Sequence, residues 1–178
     1  MSITRVAFLR LSCLALPWVL AACASAPPPA TPAPPPPYTG PVLQIAQIDR
    51  GVQIVLPATV LFDTGKSSFN TTEAGPYLNR IATLLTTKTS KRVSVEGHTD
   101  TDGSAALNEA LSNARAKAVA DALAARGVAA ARMDTAGFSF NRPVASNATE
   151  DGKRLNRRVE LIVIDEKLET FTAGEPAG

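Results

Sequence analysis

Few side chains in this 178-residue sequence could do chemistry. His98 is the only histidine, which excludes a zinc site built from several histidines. The two cysteines, Cys13 and Cys23, both precede the region that can fold, so no disulfide framework or cysteine metal site is available to it. Carboxylates, guanidinium groups and the backbone must therefore carry any site, through charge-assisted hydrogen bonds. No metal or cofactor is called for. Such groups gather between Val95 and Arg115, where Asp100, Asp102 and Arg115 fall within sixteen positions of one another. Each also has an ordinary structural use: Asp100 can cap a turn, and Arg115 can form a surface ion pair with Asp121 or Glu109.

Apolar periodicity sets the elements that position these groups. Residues 42–57 read as two short strands around Asp49-Arg50-Gly51, with Val52, Ile54 and Leu56 alternating on one face. From Thr72 to Thr87, Ala74, Tyr77, Leu78, Ile81, Leu84 and Leu85 recur at helical spacing. A strand over Arg92–Glu96 follows, then a turn through Asp102-Gly103, then a helix from about Ser104 that Gly127 ends. Leu107, Leu111, Ala114, Ala118, Ala122 and Ala125 are predicted to form its buried stripe. Asn108 and Arg115 lie beside that stripe, about 20° apart. A strand over Met133–Phe138, an irregular stretch to about Asn156, a strand over Arg158–Ile164 and a loose tail complete the reading. Strands alternating with helices imply an α/β (α+β) fold, a single domain with helices packed on one mixed β-sheet.

The first 41 residues have another character. Residues 1–22 read as a secretory signal, with Arg5 and Arg10 before a short apolar run too short for a membrane span. Leu20-Ala21-Ala22-Cys23 resembles the bacterial lipobox, which implies that Cys23 is acylated and becomes the first mature residue. Ordinary secretory cleavage near Ala22 or Ala24 is the alternative. Ala24 after the cysteine implies the outer membrane, with the domain facing the periplasm. Nine prolines among residues 27–41 bar helix and sheet, so 23–41 reads as a tether; its proline run spans roughly 45 Å if extended. The folded domain is then 42–166 and the flexible tail 167–178. The full chain has 18 basic and 16 acidic side chains, and without Arg5 and Arg10 the balance is even. That neutrality gives no support for a nucleic-acid partner, which usually needs a concentrated basic surface.

The run VEGHTDTDGSAALNEALSNARAKAVADAL resembles the signature of OmpA-like C-terminal domains. FDTGKSSFN from Phe62, AGFSFNRP near Gly137 and NRRVE over Asn156–Glu160 extend the match across about residues 55–165. Its leader and tether resemble the peptidoglycan-associated lipoprotein (Pal) kind. The resemblance implies non-covalent binding of peptidoglycan through the meso-diaminopimelate of the stem peptide, whose free end carries an ammonium and a carboxylate. By position, Asp100 takes the ammonium and Arg115 clamps the carboxylate. Phe62 and Asp63 border the pocket, Thr101 and Asp102 contribute from the loop, and Asn108 and Leu111 from the helix. Partners would be the wall, the outer membrane through its lipid and Tol-type envelope proteins. His98 is predicted to orient the turn by hydrogen bonding. Arg157 and Arg158 fall on opposite faces, one toward the ligand's carboxylates or both merely solvated. Residues 147–155 depart from the family's usual pattern.

Two rival readings remain. Asp63-Thr64-Gly65 also looks like the signature of aspartic proteases, which share a proton between two such aspartates. With one copy, the chain would act only as a homodimer, and its helical middle is wrong for an all-β protease. A wall hydrolase would need a carboxylate pair or a metal. The other rival is an envelope interaction scaffold. The expectation is a binding protein and no enzyme.

Overall fold

The alternation of Val52, Ile54 and Leu56 makes β2 (Gly51–Pro57), which pairs antiparallel with β1 (Gln44–Ile48) across the two-residue turn Asp49-Arg50. Gly51, at φ +135°, has the freedom this turn needs, and a Cβ there would lie 2.0 Å from the Val163 carbonyl oxygen. The computed structural model describes residues 42–63 and 65–172. The predicted leader, the Cys23 anchor, the tether, Thr64 and the end of the tail lie outside them.

Three further strands complete one sheet: β3 (Val93–His98), β4 (Met133–Gly137) and β5 (Arg158–Ile164), in the order β1-β2-β5-β3-β4. Only β3 and β4 run parallel, so the sheet is mixed as expected, and α3 (Ala105–Ala124) makes their crossover. A short α1 (Ala58–Leu61) and the longer α2 (Thr71–Thr87) also cover the sheet. Val52, Ile54 and Leu56, Val93 and Val95, and Val159, Leu161 and Val163 pack with Leu78, Ile81 and Leu85 of α2 and Val119 and Leu123 of α3 in one core. Each such side chain contributes about 1.5–3 kcal/mol when fully buried.

The predicted stripe of α3 is wrong by one residue. Leu107 is 68% exposed and Ala114 and Ala125 are exposed, whereas Asn108, Ser112, Arg115, Ala116, Val119, Ala120 and Leu123 are buried. A shift of one position rotates the buried face by about 100°. Nine alanines among the helix's 20 residues leave almost no apolar periodicity to read, and three polar side chains occupy the true face. The contact itself is decided by glycine. A Cβ on Gly97 would sit 2.1 Å from the Ser112 carbonyl oxygen, and one on Gly137 would sit 2.5 Å from the Asn113 nitrogen.

Two loops hold more structure than predicted. Within the irregular stretch, α4 (Glu150–Asn156) starts at Thr149, whose hydroxyl accepts from the Gly152 N–H. In the tail, α5 (Leu168–Thr172) buries Phe171 to 1% exposure, so the first part of that segment belongs to the core. No described helix is long and apolar enough to cross a membrane.

Gly97→Ala should force β3 and α3 apart and cost at least about 1–3 kcal/mol, the usual range for overpacking. Urea unfolding measures it, and a variant as stable as the parent would contradict this close approach.

Candidate ligand-binding site

The backbone leaves β3 through Thr99, whose N–H donates to the Ser139 carbonyl (2.9 Å), and reaches Asp100. There the Asp100 Oδ1 accepts from the Asp102 N–H (3.0 Å), a local turn that fixes the carboxylate. Gly103, at φ +91°, reverses the chain, and the Ser104 hydroxyl caps α3 by accepting from the Leu107 N–H. Asn108 Nδ2 donates to the Asp102 carbonyl (2.9 Å), stitching the loop to the helix. The loop is therefore held from within, and Asp100 is only 6% exposed.

Arg115 stands about two helical turns past Asn108 and is 3% exposed. Its Nε donates to the Lys66 carbonyl at 3.0 Å, and its guanidinium carbon lies 5.3 Å from the Phe62 ring centre. Phe62 stacks on Phe69 (5.1 Å), closing the loop that presents that carbonyl. Phe62 is thus both core and pocket wall. Burial lowers the Arg115 pKa, the nearby Asp100 charge opposes that shift, and Arg157 reinforces it.

These groups line one open cavity of about 450 Å³. Of the predicted residues, Phe62, Asp63, Asp100, Asp102, Asn108, Leu111 and Arg115 all border it. Thr101 does not; it is exposed and outside the lining, because the Asp100 turn directs the loop's next residue to solvent. Glu150, Thr59 and Arg157 border the cavity without having been predicted as site residues. Arg157 matters most: its Nη1 meets Asp100 Oδ2 at 2.5 Å. It comes from the junction of α4 and β5, which Asn156 braces by accepting from the Val144 and Ala145 N–H groups. The paired arginines of NRRVE carried the signal, but only the fold shows which one faces the cavity. Lys153 bridges Asp102 (2.9 Å) and Glu150 (3.2 Å) at the rim, and both partners raise its pKa.

Arg158 turns to the other face of the sheet and donates to Glu160 at 2.6 Å. There Glu96, His98 and Glu160 converge closely enough to suggest a metal site. Arg50 (2.8 Å) and Arg142 (3.3 Å) already hold Glu96, so guanidiniums supply the positive charge that a metal would bring. His98 does not orient the turn by hydrogen bonding: among the described residues neither ring nitrogen has a hydrogen-bond partner, and the ring stacks on Phe138 instead (5.6 Å).

The protease reading has no support in this arrangement. Asp63 is an exposed carboxylate 3.7 Å from Lys66 Nζ, and the frame is a mixed sheet with helices.

Fold and pocket together define an α/β domain whose open cavity brings one buried carboxylate together with two guanidiniums. The chain belongs to the OmpA family, which residues 61–157 match. It is 49% identical over 86 residues to the peptidoglycan-binding protein ArfA of Mycobacterium tuberculosis, covering 48% of this chain but only 26% of that relative's length. Among solved structures, the cell wall anchor of the T6SS from Pseudomonas aeruginosa is similar with a TM-score of 0.63 and 36% identity, over 68% of this chain and 87% of that one. The peptidoglycan-associated lipoprotein of Burkholderia pseudomallei is similar with a TM-score of 0.52 and 31% identity, over 58% and 86%.

Burial and then the Arg158 charge lower the His98 pKa to about 4, against the pull of Glu160 and Glu96. Between that value and the ordinary 6.5, the unfolded chain binds more protons than the folded one. His98 therefore contributes stability that is fully present above pH 6.5 and lost as pH falls through about 4. With one histidine in the chain, its NMR titration is unambiguous; a midpoint near 4 is expected, and one near 6.5 would contradict the buried placement.

Proposed function

We propose that this domain binds peptidoglycan non-covalently, holding the diaminopimelate of the stem peptide in the Asp100–Arg115 cavity. The observation that carries this reading is the meeting of a buried acid and a buried guanidinium in one open pocket. Nε of Arg115 is committed to the Lys66 carbonyl, and its two Nη groups make no hydrogen bond among the described residues. That leaves a planar fork for a carboxylate, which arginine binds in bidentate fashion. Asp100 supplies the complementary anion for an ammonium. The names of three relatives agree with a wall ligand: one is peptidoglycan-binding, one is a cell wall anchor and one is peptidoglycan-associated.

Acylation at Cys23 would fix the mature chain to the outer membrane, with 23–41 as tether and the domain from 42 through α5 as the wall-binding part. The protein then links membrane to wall by a lipid at one end and a pocket at the other, and needs no catalytic step. The lipobox resemblance and the lipoprotein among the structural relatives support this part.

Sedimentation with purified sacculi tests the pocket. Asp100→Ala and Arg115→Ala should each weaken retention by at least about thirtyfold, the usual minimum for truncating one partner of a buried charge pair. Arg92→Ala, which alters an exposed pair with Asp134, should sediment like the parent. Folded Asp100 and Arg115 variants that bind as well as the parent would refute the site.

A further inference from the structure

We propose that Arg157 is a specificity-determining residue that occupies the place of the ligand's ammonium on Asp100 until a ligand bearing both an ammonium and a carboxylate displaces it. This inference rests on the diaminopimelate reading above and concerns how the same pocket rejects other stem peptides.

Both oxygens of the buried Asp100 carboxylate are engaged before any ligand arrives. Oδ1 accepts from the Asp102 N–H and Oδ2 from Arg157 Nη1. The first contact is local and builds the turn. The second comes from 57 residues away and involves a side chain that is 29% exposed, against 8% for Asp100. Arg157 is therefore the partner that can move. Lys153 also draws on Asp102 and Glu150 at the rim. Asp63, Asp102 and Glu150 border the cavity as exposed carboxylates paired with Lys66 or Lys153, so Asp100 is the one buried carboxylate, set between the guanidiniums of Arg115 and Arg157.

That imbalance determines which ligands fit. An amine without a carboxylate competes with Arg157 for Asp100 and leaves three cations around the one buried carboxylate. A ligand with both groups exchanges partners: its ammonium takes Oδ2 of Asp100, and the released Arg157 joins Arg115 on its carboxylate. Every buried charge then keeps an opposite neighbour, which is the condition for a buried ion to be tolerated. No covalent bond changes in this exchange.

The test measures binding of two stem peptides to the full chain: one ending in meso-diaminopimelate, the other in lysine, which lacks the side-chain carboxylate. Arg157→Gln removes the competing cation and keeps a hydrogen-bonding side chain. It should bind the lysine peptide more tightly than the parent does, and the diaminopimelate-to-lysine affinity ratio should fall by about tenfold or more. Arg157→Lys keeps a cation on Asp100, so its ratio should stay within about threefold of the parent's. A merely structural Arg157 would weaken both peptides equally and leave the ratio unmoved in Arg157→Gln; that result overturns the proposal. So does a folded Arg157→Lys that loses the ratio, a measurement that also decides the matter if Arg157→Gln fails to fold. A parent that binds neither peptide overturns the diaminopimelate reading and this one with it. A parent that discriminates, with Arg157→Gln discriminating equally well, overturns this one alone.

Discussion

The charged head of an arginine that keeps only 3% of its surface in solvent has to be surrounded by acceptors, opposite charge and polarisable surface. Arg115 imposes that requirement on the whole domain. Its acceptor is the Lys66 carbonyl, held in place by the Phe62–Phe69 stack; its counter-charge is Asp100, just past the end of β3; its apolar contact is the Phe62 ring. These groups are far apart in sequence and meet only because α3 lies against β3 and β4 closely enough to exclude a Cβ at Gly97 and Gly137. The intimate packing of one helix on two strands is what allows a charge to be kept inside.

A second layer of charge lies behind the sheet. Arg158, next to the pocket's Arg157, pairs with Glu160, while Glu96 is held by Arg50 and Arg142. Two consecutive arginines therefore tie opposite faces of the sheet to two different ionic groups. His98 sits among them as a neutral ring stacked on Phe138, two residues before Asp100. The strand end that carries the site's acid is thus packed from the back by a largely buried set of side chains.

Much of this was legible in the sequence, for reasons that can be named. Strands such as β2 and β5 bury one or both faces and so display alternation or continuous apolar runs. Asp100 and Arg115 could be placed because the signature around them spans a strand end, a turn and a helix in fixed order. Periodicity failed on α3, where alanine is apolar on every side and the buried face carries Asn108 and Arg115, which line the cavity, and Ser112, which packs against Gly97 and Gly137. The helix at Leu168–Thr172 was missed because its burial depends on one aromatic residue, Phe171. Arg157 could not be assigned to the pocket, since its position depends on α4, which shows no apolar pattern, and on the Asn156 brace to the Val144 and Ala145 N–H groups.

The place where the polypeptide joins the sheet has a mechanical consequence. Gln44, the first residue of β1, pairs with Val55, three positions before Ala58 on the cavity wall. The incoming chain and the ligand pocket therefore share one end of the sheet. A pull between the segment preceding β1 and a molecule seated in the pocket would run across neighbouring strands near that end and not along their length. Such a load meets the β1–β2 ladder at its first rung, so the hydrogen bonds nearest Gln44 bear it before the core does.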